Sequence, residues 1–119
     1  MSHGNTEISF KNDYGQKIYV AYMRLDHDCA ADSGEPWRVK GWIGLDPGET
    51  EYRANDTGNQ WFYYYAEAVD GAFWAGPYVV IVTSTKFQTC TGVGKTVNWY
   101  KVGMRVLDTV QWSGVRFVP

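Results

Sequence analysis

At 119 residues the chain has room for one hydrophobic core, and 45% apolar with 20% charged residues exclude a disordered composition. A formal charge of −2 excludes a global positive field drawing the protein to nucleic acid or anionic lipid, although a local basic patch is compatible with that balance. No apolar run approaches the roughly 18 residues of a membrane helix, so no transmembrane segment is expected.

Residues 1–5 read as a flexible N-terminus of a single domain covering residues 1–119, with neither the basic nor the apolar region of a secretory leader. That start suits a cytoplasmic protein or a secreted one after leader removal. Residues 6–11 alternate polar and apolar, and Asn12-Asp13-Tyr14-Gly15 turns the chain. Residues 16–25 read as a long strand, followed by a polar loop over 26–36. A third strand over 38–45 closes at the turn Asp46-Pro47-Gly48, and a fourth over 49–54 at Asn55-Asp56-Thr57-Gly58. Strands over 60–69 and 77–84 flank Asp70-Gly71 and a loop carrying Trp74 and Gly76. After a glycine-rich turn over 92–94, residues 96–102, 105–110 and 115–118 supply the last strands.

Turn signals at this spacing mark an all-β chain. No window holds a 3.6-residue apolar period, so helix is expected to stay under ~10%, against a usual third. The economical architecture is a single antiparallel β-sandwich or partly closed barrel of about seven to nine strands.

The segment Thr89-Cys90-Thr91-Gly92-Val93-Gly94-Lys95-Thr96 ends like a phosphate-binding P-loop. That loop needs a glycine where Thr89 stands, and a helix after it whose N-terminus faces the phosphates. Val97-Asn98-Trp99-Tyr100 is strand-like instead, so the match is read as accidental. Asp26, Asp28, Asp32 and Glu35 offer calcium-type oxygens, but their spacing misses the EF-hand pattern. His27 with Cys29 makes neither a zinc site without His3 and Cys90 nor a persuasive thiol–imidazole pair. Ser33 and Ser84 have no neighbouring base, and Glu67 with Asp70 reads as surface carboxylates rather than a glycosidase pair. No enzyme activity, metal or cofactor is expected. Cys29 and Cys90 fit one disulfide or two buried thiols, and the sequence leaves both open.

The unusual feature is aromatic content: 17%, with six Trp and nine Tyr. Alternation puts Trp61, Tyr63, Tyr65 and Glu67 on one face of their strand and Phe62, Tyr64, Ala66 and Ala68 on the other. Trp37 and Trp74 sit among Gly and Pro and are expected partly exposed on one side of the fold. With Trp42, Tyr63 and Tyr65 they form the candidate ligand-binding set. Exposed Trp and Tyr suit a sugar ring or a partner's apolar patch.

Phe10-Lys11-Asn12, Ile18 to Tyr22, Trp37, Gly41-Trp42, Pro47-Gly48, Tyr63 to Glu67, Gly71, Trp74, Gly76, Phe87 and Cys90 follow one another in an order that resembles DUF1036, a bacterial family of unknown function. The likeness covers residues 10 to about 92 and implies a small all-β domain; it carries over no catalytic residue. Members of that family often carry further cysteines near the first strand, after the Pro-Gly turn and before the Phe…Cys element, where this chain has Lys11, Glu49 and Val79 or nearby residues, so their disulfide framework is not carried over. The functional expectation is a non-enzymatic module binding carbohydrate or a protein surface. The alternative is a secreted, toxin-like effector acting on a target membrane or host protein.

Overall fold

The computed structural model describes residues 4–92 and 98–119. Among them run β1 (Glu7–Asn12), β2 (Ile18–Leu25), α1 (His27–Ser33), β3 (Trp37–Leu45), β4 (Thr50–Ala54), β5 (Trp61–Ala68), β6 (Phe73–Trp74), β7 (Tyr78–Thr83), β8 (Phe87–Cys90), β9 (Trp99–Asp108) and β10 (Gly114–Phe117). The large sheet has the order β7-β9-β5-β2-β3-β8, all antiparallel, with β6 paired to β5. A small sheet has the order β10-β1-β4, in which β1 pairs parallel with β10 and antiparallel with β4.

Strand alternation gives the large sheet two apolar faces, and each has its own core. On one face Ile18, Val20, Tyr22, Phe62, Ala66 and Ala68 meet Ile8, Phe10, Val115 and Phe117 of the small sheet. Tyr22 stacks on Phe62 with ring centres 5.6 Å apart, and Phe10 touches both. This half is a sandwich. On the other face the sheet curls over Ala21, Met23, Val39, Tyr65, Val80, Val82, Val102 and Met104. The Trp42 indole N–H donates to Thr83 O across 2.7 Å, and Phe87 packs edge-on to Trp99, drawing the β3–β8 end toward β7 and β9. That half is a partly closed barrel, so the fold combines the two architectures that the strand pattern allows.

Several local readings are corrected. The loop over 26–36 contains α1, because Asp26 caps it by accepting from Asp28 N–H and Gly34 closes it in the left-handed conformation (φ 84°). A seven-residue helix keeps the all-β character. Asp26 also takes a 2.6 Å bond from Arg38 Nε, with Arg24 3.6 Å away, so this carboxylate is engaged within the fold. Cys29 on α1 is bridged to Cys90 at the end of β8, which closes the choice between bridge and thiols and leaves His27 no thiol to activate.

The two strands expected over 96–102 and 105–110 are one, β9. Gly103 lies mid-strand not as a breaker but because a Cβ there would stand 2.0 Å from Gly76 O, where the chain before β7 crosses. Short β6 and β8 carry too few residues for a period to reveal them. Gly4 and Asn5 are not frayed: their N–H groups bond Gly58 O and Thr109 O. Residues 1–3 (and with them His3), the Gly94-Lys95-Thr96 part of the turn and P-loop question, and the side chains of Asp32 and Ser33 lie outside the described residues.

Candidate functional site

The five aromatic candidates do not assemble into one platform. Trp74 is 9% exposed, packs against Tyr14 and Phe117, and donates its indole N–H to Val118 O at 3.1 Å. The expectation that its glycine neighbours leave it exposed is corrected; they let the β5–β6 hairpin fold it into the sandwich core. Trp37 is half-buried and meets Tyr63 edge-on at 5.5 Å; Tyr63 in turn meets Tyr78 at 5.0 Å. These three belong to the barrel side, on the opposite face of the sheet from Trp74, so Trp37 and Trp74 do not share a side.

Trp42 is different. Along the β2–β3 pair Val20 faces Ile43 and Ala21 faces Gly41, so Trp42 is the extra residue of a β-bulge, and the Gly41–Trp42 peptide is cis. Before the bulge Trp37 and Val39 face the barrel; after it Ile43 and Leu45 face the sandwich. Trp42 therefore stands where the strand changes faces, and its ring borders two hollows. Bulges re-aim side chains in this way at barrel rims and binding sites.

The first hollow, about 450 Å³, opens between the two sheets at the uncovered β3–β8 edge. Tyr22, Lys40, Ile43 and Arg53 line it together with Phe87 and Gln88. The second, about 350 Å³, lies at the barrel mouth between Tyr19, Glu67, Ser84 and Lys86. Trp42 and Lys86 border both, so the indole stands between the two hollows. Tyr65 lies behind Trp42, edge-on at 6.0 Å, and its hydroxyl donates to Glu67 across 3.0 Å. Burial first, then that bond and the Glu67 charge, push the Tyr65 hydroxyl well above the usual tyrosine range. Tyr65 thus acts as a neutral donor holding Glu67 at the rim.

The first hollow is electropositive. Register sets Lys40 beside Tyr22 across β2–β3, and β4 brings Arg53 from the small sheet. Burial, then the charges of Arg24, Arg38 and Arg53, lower the pKa of the Lys40 ammonium, with Asp26 opposing. Nothing in the sequence singled out Lys40, Arg53 or Lys86, because they come from three strands or turns and meet only through register.

The carboxylate pair Glu67 and Asp70 is not brought together. Asp70 accepts from the Tyr14 hydroxyl and from Ala72 N–H, while Glu67 is held by Tyr65 on the other core, so the two carboxylates share no site. Among the described residues no three His, Cys, Asp or Glu side chains lie where they would hold a metal ion, and no helix is long and apolar enough to cross a membrane. The chain matches no family model, no curated protein and no solved structure.

Proposed function

We propose that the protein is a non-enzymatic binding module whose groove around Trp42 holds a carbohydrate. The observation that carries this is the bulge at Trp42, which turns one indole out of the strand alternation and sets it between two polar-rimmed hollows. An aromatic face stacks on the C–H side of a sugar ring, while Lys86, Gln88, Ser84 and Glu67 offer donors and acceptors to its hydroxyls. Membership of DUF1036 is part of the proposal and is supported by motif order alone.

A protein partner is the second reading, and the toxin-like effector is one form of it. It is favoured by Trp61 and Trp112, both exposed along one shallow hollow with Tyr64 and Val106. A glycan array followed by calorimetry on wild type, Trp42→Ala and Trp61→Ala separates the two. The carbohydrate reading expects Trp42→Ala to lose about 2 kcal/mol or more of binding, as a central aromatic contact does, with Trp61→Ala unchanged. An array without a single binder rejects it.

A further inference from the structure

We propose that the hollow beside Trp42 selects negatively charged saccharides, with Lys40, Arg53 and Lys86 on a uronate carboxylate or a sulfate and Trp42 against the ring. This deepens the carbohydrate reading and rests on it. Five cations, Arg24, Arg38, Lys40, Arg53 and Lys86, gather around one end of β3, in a chain whose overall charge is −2.

Their counter-ions are few. Asp26 serves both Arg24 and Arg38, and Glu51 lies 3.4 Å from Arg53. Lys40 and Lys86 have no ion pair among the described residues, yet both border the hollow. Lys40 is half-buried among like charges, a position that disfavours its ammonium until an anion arrives. Tyr22, 4% exposed and within reach of the Arg53 charge, and Gln88 also line the hollow. Such a set fits a carboxylate or sulfate held by several charged donors.

The volume suits one or two sugar units, within the roughly 300–1,000 Å³ usual for small ligands. A long polyphosphate chain fits less well. Glu67 borders the neighbouring hollow and Glu51 lies 3.4 Å from Arg53, so a long run of phosphates would meet negative charge near the cations.

The test titrates the ¹⁵N-labelled protein with tetragalacturonate, a heparin-derived tetrasaccharide, cellotetraose and inorganic sulfate. The amides of Lys40, Gln88 and Trp42 report binding, and dissociation constants come from calorimetry. The proposal expects at least one acidic oligosaccharide to shift these signals and to bind about tenfold or more tightly than cellotetraose, a gap of about 1.4 kcal/mol. Lys40→Gln with Lys86→Gln should remove that preference, Lys40→Arg should keep it, and raising salt should weaken acidic ligands alone. The galacturonate and heparin arms tell carboxylate from sulfate.

Equal binding of acidic and neutral sugars, unchanged in the double variant, overturns the charge selection and leaves the carbohydrate reading standing. Sulfate shifting Lys40 with no sugar bound overturns the carbohydrate reading and with it this proposal. Silence from all four probes overturns both.

Discussion

Removing the Cys29–Cys90 bridge is the perturbation whose size follows most directly from the topology. The linked residues lie 61 apart in sequence, so in the chain-entropy model the bridge removes about 14 cal/mol/K from the unfolded ensemble. At 25 °C that is about 4 kcal/mol, a large share of the 5–15 kcal/mol typical of a domain. For 119 residues, an unfolding entropy of about 2.1 cal/mol/K per residue converts it into a fall of about 17 °C in Tm. The double variant Cys29→Ala with Cys90→Ala avoids leaving buried polar atoms, and urea unfolding with a calorimetric melt measures both quantities. Hydrogen exchange should quicken first in α1 and β8, because β8 is an edge strand with only four register pairs to β3. That strand carries Phe87 and Gln88 on the groove wall, so the bridge also steadies the candidate site. A loss below about 1 kcal/mol would refute the entropy reasoning. Two alkylated thiols in protein purified without reductant would refute the bridge itself.

Trp74→Ala should cost about 3–5 kcal/mol in urea unfolding, as a buried Trp in the sandwich core does, with sugar binding unchanged. Asp26→Ala should lose about 1 kcal/mol as an N-cap alone, more with Arg38 left unpaired. The Arg38 bond holds the Asp26 pKa below its ordinary value near 3.8. Its contribution is therefore complete above about pH 4 and lost as pH falls through the lower folded value, so melts of variant and wild type should converge in acid. Gly103→Ala places a methyl against Gly76 O and should cost about 3 kcal/mol in thermal melts, while Gly15→Ala, with nothing within 4 Å, should be near neutral.

The strands were legible because alternation reports a buried face wherever a sheet covers it. Residues 60–69 show this: their odd and even positions are now the barrel and sandwich faces of β5. Asp46-Pro47-Gly48 and Asp70-Gly71 were equally readable as turns, and both glycines have positive φ. What escaped depends on distant chain. Trp74 was misjudged because flanking glycines describe backbone freedom, and its burial is decided by Tyr14 and Phe117. α1 escaped because seven residues hold barely two turns, and its stability comes from the Asp26 cap and the Cys29 bridge.

The candidate site was legible only in part. Trp42 is visible in the sequence as an aromatic, but its bulge is a property of the β2–β3 register, which residue spacing within β3 does not encode. Lys40 alternates with Arg38 as any polar strand face does, and only β4 crossing from the small sheet adds Arg53. Phe10 and Asn12 were read as a motif, and the structure accounts for them as packing. Phe10 fills the sandwich core, and the buried Asn12 amide donates to Gln16 O and Leu45 O at 2.8 and 2.9 Å.

The central claim, that Trp42 marks the binding groove, is tested most directly by the six indole N–H signals in a ¹⁵N spectrum, assigned by single Trp→Phe variants. Each is followed while tetragalacturonate or cellotetraose is added. The account predicts that the Trp42 signal moves saturably with the Lys86 amide, while that of buried Trp74 stays fixed. Shifts confined to Trp61 and Trp112, with Trp42 still, would contradict it.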